Sequence, residues 1–379
     1  MLNPNSVIYQ VFVRNYSKQG TFAKVEQDLS RIGKLGADII YLMPIHEIGE
    51  MERKGTHGSP YAIKDYYSIS SDLGTLDDFK SLVAATHRKG MKIILDMVFN
   101  HTSPDNVLVE KHPEYYFYKD GKRSNRVGDW TDIVDLDTSK PEVQTYLLKV
   151  LKYWRELGVD GFRFDVASLI PLEFFKRARK ALGKKVIFIG ESVNDDFVKY
   201  LKKQGIKCTP DKDMYPTFDA LYNYNWDYAM DKYIETGDYK LLIKELKDQE
   251  TSMPKNYLRV NCLANHDTDR IAAKLAQNKD RFTELVNFVY YIKGCSFIYM
   301  GEEYGIAHKP DLFEKDPVDW TSGNEDMYAF YEGLIRDKKN PFNAKIVKQD
   351  YRWLNDNRIE VRQVNNKGAE MARVFDLNK

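Results

Sequence analysis

Apolar residues recur along this chain in one repeated arrangement: a stretch at helical spacing, a glycine, then a short unbroken apolar run. Phe22, Val25, Leu29 and Ile32 lead to Gly36 and then ADIIYLMP; Phe79, Leu82 and Val83 lead to Gly90 and MKIILDMVF. Val143, Leu147, Val150, Leu151 and Trp154 lead to Gly158 and VDGFRFD. Phe174, Ala178 and Leu182 lead to Gly183 and KKVIFIGE, and Leu285, Val289 and Ile292 lead to Gly294 and CSFIYMGE. Apolar positions three and four apart predict amphipathic helices, and a glycine at the stop tolerates the left-handed dihedrals that end one. Thr75 with Asp78, and Pro141, read as helix starts. Runs that do not alternate predict strands buried on both faces, as in a parallel sheet. Adding SVIYQVFV, a weaker stretch around MYPTFDA, and NYLRVNCLAN gives eight candidate strands. Eight such units favour a closed TIM (β/α)₈ barrel, an α/β fold, with an open doubly wound sheet as the alternative.

Two stretches depart from the rhythm. After the third strand, about forty polar and aromatic residues pass before the Pro141 helix, which predicts a functional loop or a small insertion. Beyond about Asn340, RIEVRQV and MARVFDL read as strands of a small β appendage. The expected organisation is barrel over 1–101, insertion over 102–138, barrel again over 139–339, and a rudimentary C-terminal β segment over 340–379.

Composition narrows the class. Lys plus Arg (57) and Asp plus Glu (56) nearly cancel, and no basic stripe stands out, which disfavours nucleic acid or an anionic membrane as partner. No apolar run approaches the ~20 residues that span a bilayer. MLNPNSVIYQ has no basic segment followed by an apolar one, so no signal peptide is expected. Cys208, Cys262 and Cys295 are odd in number and widely spaced, which suits thiols in a reducing compartment, and cytoplasm is the expected location. Neither a G-x-G-x-x-G after a strand nor a G-x-x-x-x-G-K-[ST] occurs, so a nucleotide site lacks support.

Barrel enzymes carry their chemistry at the C-terminal ends of strands. Here four strand ends bear polar groups: Asp96 to His101 in DMVFNH, Arg163 and Asp165 in GFRFDVAS, Glu191 in FIGES, and His266 with Asp267 in ANHDTDR. A lone Asp after a strand is usually a helix cap, and a lone His is usually a satisfied core residue. Carboxylates on several strand ends of one barrel are a different matter. Retaining glycosidases need two carboxyl groups about 5–5.5 Å apart, one to attack the anomeric carbon and one to protonate the leaving oxygen. An arginine two residues before Asp165, on the same strand face, is expected to lower the pKa of that carboxyl. Burial and like-charge neighbours would favour a proton on the acid.

These residues resemble the conserved regions of the α-amylase superfamily of glycoside hydrolases: DMVFNH the first, GFRFDVAS the second, GES the third and NHD the fourth. With YAIKDYYSIS upstream and FIYMGEEYG downstream, the similarity runs from about Ser6 to Trp320. The resemblance implies that Asp165 is the nucleophile, Glu191 the general acid/base and Asp267 a stabiliser gripping sugar hydroxyls. It implies that Arg163 orients the nucleophile, that His101 and His266 hydrogen-bond the same sugar, that Tyr61 stacks on it, and that Arg270 faces it. Asp96 is structural in such enzymes, and Asn100 is a structural residue or a calcium ligand; calcium is the one metal the resemblance leaves open, and no cofactor is required.

The departures bear on the activity. Pro60, Tyr61 and Ala62 stand where the family often has G-Y-D, NYSKQGTF replaces a calcium loop, and Ser168 and Leu169 replace a frequent Lys-His. The short insertion is expected to leave an open cleft suited to a linear oligosaccharide or a chain end. The resemblance thus implies hydrolysis of α-1,4-glucosidic bonds in starch, maltodextrin or maltooligosaccharides through a covalent glycosyl-enzyme. A 4-α-glucanotransferase or an α-glucosidase would use the same site, and a non-catalytic barrel scaffold would lack one of the three carboxylates, all of which are present.

Overall fold

Eight parallel strands close on themselves in the computed structural model, which describes residues 2–127, 130–354 and 358–377. They are β1 (Val7–Val11), β2 (Ile39–Leu42), β3 (Lys92–Met97), β4 (Gly161–Phe164), β5 (Ile187–Gly190), β6 (Ala220–Tyr222), β7 (Arg259–Asn261) and β8 (Cys295–Tyr299). Each pairs with its sequence neighbours, and β1 closes the ring on β8 with Val7 opposite Ser296. The closed barrel, rather than the open sheet, is the solution adopted.

Among the described residues, nine helices of eight residues or more surround it: α1 (Phe22–Leu35), α2 (Leu76–Arg88), α3 (Pro141–Glu156), α4 (Leu172–Leu182), α5 (Asp195–Lys203), α6 (Tyr224–Thr236), α7 (Lys240–Ser252), α8 (Lys279–Tyr291) and α9 (Glu325–Lys338). The stripe of α1 (Phe22, Val25, Leu29, Ile32) is buried to 1% exposure or less. Each such side chain contributes about 1.5–3 kcal/mol relative to leaving it in water. Gly36 ends α1 in the left-handed region at φ 101°. Thr75 and Asp78 form a reciprocal capping box at the start of α2, and Pro141 opens α3.

Two expectations need adjustment, and the insertion gains detail. The sixth strand starts at Ala220, the last residue of MYPTFDA, because Asp211–Met214 is helical and the chain turns before it pairs. The insertion is not featureless. Val107–Lys111 is a short helix capped by Asn106, Tyr118–Lys119 pairs with Lys122–Arg123, and His101–Thr102 pairs with Val134–Asp135. The C-terminal sheet has a third strand, β9 (Ile346–Trp353), beside β10 (Ile359–Asn365) and β11 (Glu370–Phe375). It docks on α8 through Phe375, whose ring lies 5.3 Å from that of Phe288. No helix among the described residues is long and apolar enough to cross a membrane.

Candidate active site

Register places the first contact. Arg163 on β4 lies opposite Asp96 on β3, and its Nη1 donates to both Asp96 oxygens, at 2.9 and 3.1 Å. Both side chains are fully buried. Tyr41 and Tyr61 donate to Asp96 Oδ2 at 2.5 and 3.0 Å, so this carboxylate is enclosed by donors. Burial still holds its pKa above the ordinary range, against the pull of Arg163 and Tyr41.

The ladder then runs one residue past each strand. Asp165 N–H donates to the Met97 carbonyl and Glu191 N–H to the Phe164 carbonyl, both at 3.0 Å, which carries the two carboxyl groups to the rim of adjacent strands. Gly161 lets these strands approach: a Cβ there would stand 2.3 Å from the Ile187 carbonyl oxygen. One guanidinium joins the pair. Arg163 Nη1 donates to Asp165 Oδ1 at 2.8 Å, and Nη2 lies 2.7 Å from Glu191 Oε1. The second contact is out of line for a hydrogen bond, so Nη2 and Nε keep no hydrogen-bonding partner. One guanidinium in contact with both carboxyl groups holds them side by side at the rim, the paired arrangement that a retaining glycosidase uses.

Glu191 has two further anchors. Its Oε2 accepts the Val166 N–H at 2.7 Å, and Tyr224 donates to Oε1 at 2.7 Å. A tyrosine hydroxyl can donate to a carboxylate or accept from a carboxylic acid, so this contact serves both protonation states. Val166 stands in the left-handed region at φ 41°, ψ 41°, an outlier for a β-branched residue. The strain is located where its N–H reaches the carboxylate of the next strand.

Three carboxyl groups around one guanidinium cannot all ionise cheaply. Burial and the neighbouring Glu191 charge push Asp165 well above the ordinary carboxylate range, and Arg163 only partly offsets them. The expectation that Arg163 would leave Asp165 with a lowered pKa is therefore corrected, because desolvation outweighs the arginine.

The remaining predicted residues fall around this pair. An Asx turn displays His266 and Asp267: Asn265 Oδ1 accepts the N–H groups of Asp267 (2.9 Å) and Thr268 (3.1 Å). His266 stacks on Tyr61 with ring centroids 5.1 Å apart, and its Nε2 lies 2.7 Å from the Tyr61 hydroxyl. Gln10 donates to its Nδ1 at 3.1 Å, which puts the ring proton on Nε2, where it is donated to the Tyr61 hydroxyl; Asp267 Oδ2 lies 3.2 Å from the same nitrogen. Burial, helped by Arg163, lowers His266 to about 4, and burial lowers His101 to about 4. Both rings are neutral hydrogen-bonding groups near pH 7. His101 Nε2 is 4.0 Å from Asp165 Oδ2. Asp267 is half-exposed at the mouth.

Tyr61, His101, Asp165, Glu191, His266 and Asp267 all line one cavity of about 480 Å³. A larger hollow of about 610 Å³ between α8, α9 and β11 is lined by none of them. Arg163 forms the floor rather than the wall. Arg270 does not face the cavity and is corrected: it is buried, and its guanidinium donates to the main-chain carbonyls of His308 (2.7 Å) and Met300 (2.7 Å), bracing the chain after β8. Asn100 donates to Asp135 Oδ1 at 3.4 Å, and Asp135 is already paired with Arg126 at 3.2 Å. One carboxylate with an arginine on it does not fit calcium, which takes six to eight oxygens. Among the described residues no group of three or more His, Cys, Asp or Glu could hold a metal ion.

Tyr224, Trp130, Lys54, Asp132 and Phe313 also line the cavity and were not among the expected site residues. Tyr224 follows the misplaced sixth strand; looking for polar groups just past the true strand end would have found it. The other four sit in loops without periodicity.

Truncating Arg163 to Ala should cost about 3–5 kcal/mol, the range for removing one partner of a buried ion pair. The loss should shrink as pH falls and Asp96 takes up a proton, since a carboxyl with a raised folded pKa is uncosted when protonated. Thermal unfolding at pH 4 and pH 7 checks both statements; an equal loss at the two pH values would contradict the assigned burial of charge.

The sequence matches the family described as "Alpha amylase, catalytic domain" over residues 10–370. It is 30% identical to a cyclomaltodextrinase of a Bacillus species over 346 residues, covering 84% of this chain and 58% of that protein. The chain thus spans little more than half the length of that relative. Its fold superimposes on an α-amylase from Lactobacillus plantarum with a TM-score of 0.94 and 36% identity, over 99% of this chain and 89% of the other. A maltogenic α-amylase from Thermotoga neapolitana gives a TM-score of 0.87 and 32% identity, over 99% and 86%.

Proposed function

The chain belongs to the α-amylase family, and from that membership we propose that it is a retaining glycoside hydrolase acting on α-1,4-linked maltooligosaccharides or maltodextrins. The observation that carries this reading is the single guanidinium of Arg163 reaching Asp165 and Glu191 on adjacent strand ends.

Each step follows from that placement. Glu191 gives its proton to the glycosidic oxygen as the bond to the anomeric carbon breaks, and Asp165 attacks that carbon from the opposite side. The positive charge developing on the sugar is met by Asp165, whose own negative charge is held by Arg163 at 2.8 Å. Glu191, now ionised, keeps the Val166 N–H and Tyr224 hydroxyl as donors, and then takes a proton from the water that releases the sugar. Neutral His101 and His266, with Asp267 and Tyr61, supply the hydrogen-bonding surface for the sugar hydroxyls. The three cysteines are free thiols, which supports a reducing compartment such as cytoplasm.

Incubation with maltotriose tests the reading. Glucose and maltose should appear, with the newly formed reducing end in the α configuration by proton NMR before mutarotation. Oligosaccharides longer than the substrate would reassign the chain to 4-α-glucanotransferase, and a β product would exclude retention.

A further inference from the structure

Half of the cavity rim is a continuous wall. The loop after β2 is fastened to the loop after β8: His57 N–H donates to the Phe313 carbonyl and Thr56 N–H to Glu314 Oε1, both at 2.9 Å. Arg14, just past β1, bridges the two by donating to the carbonyls of Gly58 (3.0 Å) and Leu312. The contact is close enough that a Cβ at Gly55 would stand 2.7 Å from Phe313 and Glu314. The same loop is tied to the insertion after β3 by the Lys54 Nζ–Asp132 Oδ1 ion pair at 2.8 Å, with Lys54 also 6.0 Å above the Phe313 ring. The wall therefore runs from β8 past β1 and β2 to β3. The expectation of an open cleft is corrected on this side, because the loops after β2 and β8 fill what a short insertion leaves.

The opposite arc carries the proton donor. Glu191 follows β5 and Tyr224 follows β6. Beyond them Phe197 lines the cavity and stacks on Tyr200 (centroids 5.9 Å apart, 17° between planes), which is 45% exposed. Phe197 thus adds an aromatic surface to the same arc as the acid, backed by the exposed Tyr200 ring and suited to the apolar face of sugar rings.

The two arcs impose a direction on an α-1,4-glucan. The bond that breaks joins C1 of the retained sugar to O4 of its neighbour, and O4 must meet Glu191. The leaving chain, with the reducing end, then lies over Phe197 and Tyr200. The retained sugar's own O4, across the ring from C1, points at the wall, so few further units fit there. Resting on the hydrolase reading above, we infer that the protein acts in the exo mode: it binds a chain by its free non-reducing end and releases short products from that end, and the Lys54–Asp132 tie with Phe313 sets how far the retained chain can extend.

A p-nitrophenyl maltoheptaoside carrying a 4,6-O-ethylidene block on its non-reducing sugar, compared with the unblocked compound, tests this. The wild-type protein should cleave the blocked compound with kcat/KM about 100-fold lower, the cost of forcing a bulky group against a packed wall. Equal cleavage of both would overturn the exo assignment and leave the hydrolase reading standing. No cleavage of either would overturn the hydrolase reading and this inference with it. The Lys54→Ala/Phe313→Ala double variant should narrow the difference to about 10-fold or less. In a folded variant, a ratio unchanged from wild type would remove these residues from the role of stop.

Discussion

Asp165→Asn should lower kcat on maltooligosaccharides by about 10⁴-fold or more, equivalent to about 5 kcal/mol of transition-state stabilisation, while the protein stays folded. Asparagine is nearly isosteric and can still accept from Arg163, so the barrel has no reason to rearrange, but an amide cannot form the glycosyl-enzyme at a useful rate. Near-normal turnover in this variant would remove the nucleophile assignment. The same substitution should raise stability at neutral pH. Burial and the charge on Glu191 hold the Asp165 pKa above the ordinary 3.8, so the folded protein binds this proton more tightly than the unfolded chain does. Ionising it therefore costs folding free energy as pH rises above 3.8, and asparagine carries no such cost. The Tm of the variant minus that of wild type should grow between about pH 3.5 and pH 7. A difference that shrinks over that interval would mean that Arg163 outweighs burial after all.

Glu191→Gln should lose about 10³-fold on maltooligosaccharides, within the usual range for a positioned acid, and much less on a maltosyl fluoride. Fluoride departs without a proton, so the first step no longer needs the residue. The second step still does, because water must be deprotonated, and a glycosyl-enzyme should accumulate on Asp165, visible by mass spectrometry. Azide needs no base and should speed its release. An equal loss on both substrates would mean that Glu191 acts by binding rather than by proton transfer. Tyr224 and the Val166 N–H would be left facing an amide, so part of the loss is positional, and the fluoride comparison separates the two parts.

The periodic parts of the molecule were legible in the sequence because burial alone dictates them. The stripe of α1, the Thr75–Asp78 box and the unbroken runs of β3, β4 and β5 each state locally which face must leave water, and eight such units leave few architectures. The sixth strand was placed early because Met214 and Phe218 are apolar for packing, whereas the pairing residues Ala220–Tyr222 are only three in number. β9 was missed because its buried positions include Gln349, which reads as polar but bonds Lys293 N–H at 3.0 Å.

The chemistry divides in the same way. Sequence alone determined which strand ends carry Asp96, Arg163, Asp165, Glu191 and Asp267, because the two-residue spacing of a strand and the barrel rule for its C-terminal ends are local statements. Only the tertiary structure decided that one guanidinium would serve three carboxyl groups, that burial would outweigh it at Asp165, and that Arg270 would turn to main-chain carbonyls instead of the cavity. Only it decided that loops distant in sequence would close one side of the rim. Charge burial and loop contacts depend on which residues far apart along the chain share a volume, and no periodicity records that.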